Sequence, residues 1–261
     1  MTSLQSLTEQ VKSFSKTMNL SAYADFDFNL KEQAIVIERG ELMVAGAKGP
    51  KTGLSGKVIF AENDPIGFAE SIAAAKTNYE CSVLSELQIR VFDGAEIRDF
   101  ANRAGVFSRT IIRYSLGRIF DGMRKGSKTS IAFEDEFIFK NYEDLKKIEI
   151  SGGREIFKAG AHVDKMYFIA SGTVTLSTAH NKVLTTLGAG ECFGEASLLG
   201  EGVRSSTVVA ETDVSLVAIE KSRAEAELRN CHPMTQFATL MVLRQLGLMN
   251  QLRGMHGRKN S

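Results

Sequence analysis

Two kinds of hydrophobic spacing alternate along this chain. Short runs such as EIFKAG, KMYFIASG, TVTLST, KVLTTLG, STVVAE and VSLVAI are apolar and broken by Gly and Asp. Runs of this length predict strands, and many short strands with glycine turns predict a small antiparallel barrel or roll. Two longer stretches follow the helical period instead. AGVFSRTIIRYSLGRIFDGMR places Val106, Ile111, Ile112, Ile119 and Met123 at helical spacing. After Pro233, which suits a first helical turn, MTQFATLMVLRQLGLMNQLRGM continues with Phe237, Leu240, Met241, Leu248 and Met255. The predicted layout is short helix, barrel, helix, polar bridge, barrel, helix.

The layout is that of a sequence repeat. EQAIVIERGELMV, from Glu32, matches DKMYFIASGTVTL, from Asp164, and each centres on a turn glycine, Gly40 or Gly172. Each predicts a β-hairpin. A second block aligns KVIF at Lys57 with KVLT at Lys182, and from there the halves are expected to run without a gap. In that alignment Phe68, Ala69 and Glu70 fall on Phe193, Gly194 and Glu195, while Tyr79, Glu80 and Cys81 fall on Arg204, Ser205 and Ser206. The first copy gains a longer loop near GAKGPKTGLSG. The expected domains are 1–124, a bridge at 125–141 that opens in the polar run RKGSKTS from Arg124, and 142–261.

Composition narrows the setting. Of 261 residues, 43% are hydrophobic and 24% charged, the balance of a globular chain with room for two domains. A net charge of +1 gives no bulk attraction to nucleic acid or anionic membrane. No apolar run resembles a secretion signal or a membrane span. The three cysteines, Cys81, Cys192 and Cys231, are scattered and odd in number, which fits a reducing compartment. The expected location is cytoplasmic.

The chemistry concentrates in FGEASLLGEGVRSSTVVA, Phe193 to Ala210. Gly190 and Gly194 permit tight bends that expose amide groups. EASLL predicts one helical turn whose first amides can hold an anion. Arg204 offers a planar fork of donors for two phosphate oxygens, with the hydroxyls of Ser205 and Ser206 beside it. Glu195 repels phosphate, so it must accept from another donor, of which a ribose hydroxyl is the obvious one. Physically, this is a site for a small phosphorylated ribonucleotide.

The stretch resembles the phosphate-binding cassette of the cyclic nucleotide-binding domain family, which includes catabolite activators, protein kinase regulatory subunits and cyclic-nucleotide-gated channels. The family pattern is FGE, a short helix ending LL or LI, then R-[STA]-[SA]-[TWV]-V, and residues 193–210 match it without insertion. The resemblance covers about residues 142–255, and residues 20–124 more weakly. It implies a mainly β fold with helices: two tandem jelly-roll-like β-barrel domains. It also implies a cyclic mononucleotide ligand, cAMP or else cGMP. Glu195 would bind the ribose 2′-hydroxyl, and Arg204 the cyclic phosphate, helped by Ser205 and Ala196. Gly194, Ser206 and Leu184 complete the expected pocket, and Asn250 and Gln251 on the last helix would cap the base. The first copy would be degenerate, since Tyr79 and Glu80 offer a phosphate no cation.

No enzyme is indicated. The histidines His162, His180, His232 and His256 lack metal spacing, no GxSxG elbow occurs, and GLSGK at Gly53 has Val58 where a P-loop needs Ser or Thr. The chain runs only a few residues past its last predicted helix, so no helix-turn-helix module is expected. The expectation is therefore a receptor that signals to a protein effector without catalytic, metal or cofactor chemistry. The alternatives are a scaffold or an enzyme-regulatory subunit. Apolar faces on both long helices predict either a homodimer or one chain imitating a dimer.

Overall fold

A computed structural model describes residues 4–46, 56–77, 79–121, 138, 145–195 and 203–254. The bridge expected at 125–141, most of the GAKGPKTGLSG loop and the EASLL turn beyond Glu195 lie outside the described residues, Ile138 excepted. In chain order, the first half contains α1 (Leu4–Gln10), β1 (Ser15–Leu20), β2 (Gln33–Arg39), β3 (Leu42–Gly46), β4 (Lys57–Phe60), β5 (Pro65–Ile66), α2 (Phe68–Ala73), β6 (Tyr79–Val83), β7 (Leu87–Asp93), α3 (Gly94–Asn102) and α4 (Val106–Asp121). The second half contains β8 (Lys146–Ile150), β9 (Glu155–Phe157), β10 (Lys165–Ser171), β11 (Thr173–Ser177), β12 (Val183–Gly188), β13 (Cys192–Phe193), β14 (Thr207–Ala210), β15 (Val214–Glu220), α5 (Lys221–Arg229) and α6 (Pro233–Gly254).

Each half builds the same pair of antiparallel sheets. The larger sheet runs β1-β7-β2-β5 in one and β8-β15-β10-β13 in the other. The smaller runs β4-β3-β6 in one and β12-β11-β14-β9 in the other, so only the second half adds a strand, β9, at that edge among the described residues. These are tandem copies of one mainly β fold with helices. The expected hairpins are present. Gly40 and Gly172 take φ of +94° and +85°, a region open to glycine but costly for other residues. A Cβ on either would lie 2.2 Å from a backbone carbonyl oxygen, that of Glu86 or of Asp213. Gly153 also has positive φ, +79°, but open space around it. Gly153→Ala should therefore cost only the backbone strain, about 1 kcal/mol. Gly172→Ala adds a clash that backbone cannot relieve and should cost at least about 2 kcal/mol. Urea unfolding of the two variants checks the difference, and equal losses would contradict it.

The strand pairings correct the alignment of the two copies. Counted from the hairpin glycines, Leu42 corresponds to Val174. Leu42 pairs with Val83 and Val174 with Ala210, while Val44 pairs with Cys81 and Leu176 with Val208. Cys81 thus corresponds to Val208, two residues beyond the Ser206 that the sequence alignment chose. The same shift holds across β4 and β12. At the next turn Gly67 corresponds to Gly194, and both have positive φ. A two-residue slip keeps every side chain on its own face of the sheet, so hydrophobic alternation cannot detect it.

The chain divides into two compact units that do not follow the predicted boundaries. One is Ala104–Cys231; the other joins Thr2–Arg103 to His232–Ser261. Each barrel's unit therefore contains the long helix that follows the other barrel in sequence. In the discontinuous unit, Phe237 of α6 meets Phe68 and Phe92, with ring centroids 5.9 and 5.3 Å apart. Its core is completed by Ile35, Ile37, Leu42, Phe60 and Ile66, all fully buried. The continuous unit packs Ile169, Val174, Val208, Ala210 and Leu216 between its sheets, with Phe193 at the cassette end. No helix among the described residues is long and apolar enough to cross a membrane.

Candidate functional site

In the continuous unit β13 ends at Phe193, and Gly194 turns the chain with φ +82°. The turn delivers Glu195 into the interior, where it is 2% exposed. Arg204 precedes β14 and is 5% exposed. Its backbone is fixed on both sides by the turn after β9. Arg204 N–H donates to the Ala161 carbonyl and Gly160 N–H to the Arg204 carbonyl, each at 2.8 Å. The guanidinium lies 4.0 Å from the Phe157 ring centroid and 5.8 Å from that of Tyr167. Nη1 donates to the Gly194 carbonyl at 3.4 Å, and Nη2 is 3.6 Å from Asp164. Burial lowers the Arg204 pKa, while Tyr167, Asp164 and Glu195 hold the proton on. Burial alone would raise Asp164, but the hydrogen bond and charge of Lys165, together with Arg204, leave its pKa below the usual value.

Arg118, on the last turn of α4, completes the cluster. It donates through Nη1 to Glu195 Oε1 and through Nη2 to the Cys192 carbonyl. A cation there also suits the negative end of the helix. Glu195 Oε2 is buried and has no hydrogen-bond partner among the described residues. A buried carboxylate oxygen in that state calls for a donor, since an unsatisfied acceptor is costly. One turn earlier on α4, Tyr114 donates its hydroxyl to the Gly190 carbonyl. Burial pushes the Cys192 thiol well above its ordinary range, with Glu195 adding to the effect, so it is not poised as a nucleophile.

The expected site residues are thus only partly gathered. Gly194, Glu195 and Arg204 meet in one unit, with Ser206 half-buried and Ser205 exposed just after the arginine. Leu184, on β12, is half-buried against the same core. Ala196 lies outside the described residues. Asn250 and Gln251 stand on α6, in the discontinuous unit; the long helix in the unit of Glu195 and Arg204 is α4. Sequence reasoning missed Arg118, Phe157, Asp164 and Tyr167. Arg118 carried the one available signal, a cation in the last turn of its helix.

The corresponding place in the first copy is closed. With the register corrected, Phe68 stands where Glu195 does and Thr77 where Arg204 does. The earlier alignment of Glu70 with Glu195 and Tyr79 with Arg204 does not hold. Glu70 is instead fully buried within a satisfied cluster. Its Oε1 accepts from Thr77 at 2.6 Å and Tyr79 at 2.7 Å, and its Oε2 from Gln245 at 2.7 Å. Gln245 in turn accepts from Ala69 N–H at 3.0 Å. Burial and then the Glu70 charge raise the Tyr79 pKa well above its usual value. The same two causes push Cys81 up to about 12. Among the described residues both Glu70 oxygens have donors, and Thr77 rather than a cation stands at the arginine position.

Comparison with known proteins agrees with this geometry. Residues 147–231 match the family model described as "Cyclic nucleotide-binding domain". The "Cyclic AMP receptor protein" of Thermus thermophilus is 36% identical over 98 residues, covering 36% of this chain and 45% of that protein. A "cAMP-dependent protein kinase regulatory subunit" of Eremothecium gossypii is 39% identical over 77 residues, covering 30% and 17%. The solved Thermus thermophilus catabolite activator protein is 30% identical, covering 45% of this chain and 52% of that one, with a TM-score of 0.34. The chain spans less than half the length of the two curated relatives. The segment 147–231, which carries both buried Glu195 and buried Arg204, is thus the part of the chain that matches the cyclic nucleotide-binding domain family.

Proposed function

We propose that this chain is a non-enzymatic receptor for one cyclic mononucleotide, with cAMP as the favoured ligand, and that it passes the signal to a protein effector. The observation that carries the reading is a buried arginine, Arg204, within electrostatic reach of a buried carboxylate, Glu195, whose second oxygen lacks a partner among the described residues. Arg204 supplies a planar donor fork for the cyclic phosphate. Glu195 Oε2 supplies the acceptor that a ribose 2′-hydroxyl satisfies, while Arg118 holds Oε1. Ser205, Ser206 and Leu184 border the same pocket in this reading. The ligand must favour one arrangement of barrel and helix over another for a signal to result.

The first copy binds no nucleotide in this reading, because its polar groups satisfy one another. Calorimetry against cAMP, cGMP and a cyclic dinucleotide tests both points. The expected stoichiometry is one cyclic mononucleotide per chain, with 2′-deoxy-cAMP binding at least about tenfold more weakly than cAMP, the worth of a hydrogen bond to a charged acceptor. Two sites per chain would overturn the closed first copy. Equal affinity for the deoxy compound would remove Glu195 from ribose recognition.

A further inference from the structure

Among its described residues the first copy lacks two things together: an arginine in the cassette and the strand that β9 forms in the second copy. In the second, β9 sits at the edge of the smaller sheet, where Phe157 pairs with Val208 of β14. That pairing sets the Phe157 ring against the guanidinium of Arg204, 4.0 Å from its centroid. The ring is backed by Tyr167, 6.1 Å away and tilted 26°, and by Phe193, 5.9 Å away. Tyr167 and Phe193 themselves stack at 5.1 Å and 19°. The result is a three-ring platform with a planar cation lying on its outer member.

We propose that Phe157 is a positioning residue for Arg204, holding the guanidinium plane so that its edge donors are set for phosphate before any ligand arrives. The proposal rests on the nucleotide pocket described above. Two physical demands lead to it. The Arg204 side chain is only 3% exposed, so its charge has lost most of its water, and an aromatic face returns part of that attraction. A phosphate also needs the donors in one plane and one direction, and an arginine has several rotatable bonds to fix. Backbone bonds to Ala161 and Gly160 fix the start of the side chain, and Phe157 fixes its end. A flat ring takes up none of the edge donors of the guanidinium, whereas a carboxylate in that place would compete with the phosphate for them.

The experiment is a double-mutant cycle read by calorimetry with cAMP. Phe157→Leu should weaken binding about fivefold or more, the loss expected of a desolvated cation–π contact. Phe157→Tyr, which keeps the ring, should stay within about twofold of the parent. In an Arg204→Lys background, where the cation has no plane to stack, Phe157→Leu should change affinity less than about twofold. Thermal unfolding of each variant identifies any that fails to fold, and Phe157→Tyr then carries the comparison. Equal losses from Phe157→Leu in both backgrounds would reduce Phe157 to core packing, as would an equal loss from Phe157→Tyr. A parent chain that binds no cyclic nucleotide would overturn the pocket, and this proposal with it. That outcome is distinct from a parent that binds and a cycle that is additive.

Discussion

Arg204→Ala is expected to weaken cAMP binding by about ten- to hundredfold, because a hydrogen bond to a charged group contributes about 1.5–3 kcal/mol. The loss falls at the upper end if both edge nitrogens reach the phosphate. Preorganisation argues for the upper end, since the backbone of Arg204 is already bonded on both sides and its face is already covered by Phe157. The fold should tolerate the change. Burial already disfavours the charged guanidinium, and its nearest counter-charge, Asp164, is half exposed. Titration calorimetry gives the affinity and denaturation the stability. Affinity unchanged within about twofold would remove Arg204 from the pocket.

Arg118→Ala should act on stability. Its side chain is 15% exposed and that of Glu195 only 3%, so the pair is largely out of water. Removing one partner of such a pair leaves a buried charge uncompensated, at a cost of about 3–5 kcal/mol. The double variant Arg118→Ala with Glu195→Ala leaves no charge behind and should lose less than the single one. Urea unfolding separates the two cases. A single variant no less stable than the double would mean that Glu195 does not depend on Arg118. Gln245 offers a comparison. It is the thirteenth residue of α6, as Arg118 is of α4, and it donates to Glu70 as Arg118 donates to Glu195. In both copies that helix position serves the buried carboxylate of the barrel in the same unit. One copy uses a neutral amide in a closed cluster, and the other a charge beside an open acceptor.

The cassette was legible in the sequence because its chemistry is contiguous. A glycine turn, a glutamate, a short spacer and an arginine must lie in one stretch for the backbone to bring them together, and Phe193 to Ala210 keeps that order. The hairpins were legible because a glycine between two apolar runs is a local signal, although the atoms that demand glycine at Gly40 and Gly172 belong to Glu86 and Asp213, far along the chain. The register between copies was not. Sequence alignment sets Glu70 and Tyr79 on Glu195 and Arg204 because a slip of two residues leaves the inward and outward faces unchanged. Only the hydrogen-bonded partners of β3 and β11 distinguish the alternatives. The roles of Arg118 and Phe157 were hidden by distance along the chain. Arg118 reaches Glu195 from another element 77 residues away, and no spacing rule links them. The grouping of α4 with the second barrel and α6 with the first was equally invisible, because either pairing satisfies the same helical periodicity.

That grouping has a consequence for the order in which the protein is made. Domains generally fold as units while the ribosome is still at work, the N-terminal one first. Here the first barrel's unit is interrupted by the whole of the second, and its helix begins only at Pro233. A nascent chain released as far as Arg103 has Phe68 and Phe92 in place but not the Phe237 that packs on them. Glu70 likewise waits for Gln245. The second barrel has no such wait, for α4 has been synthesised before its first strand. The nucleotide-binding copy can thus close around its own helix during translation, while the earlier copy is finished last.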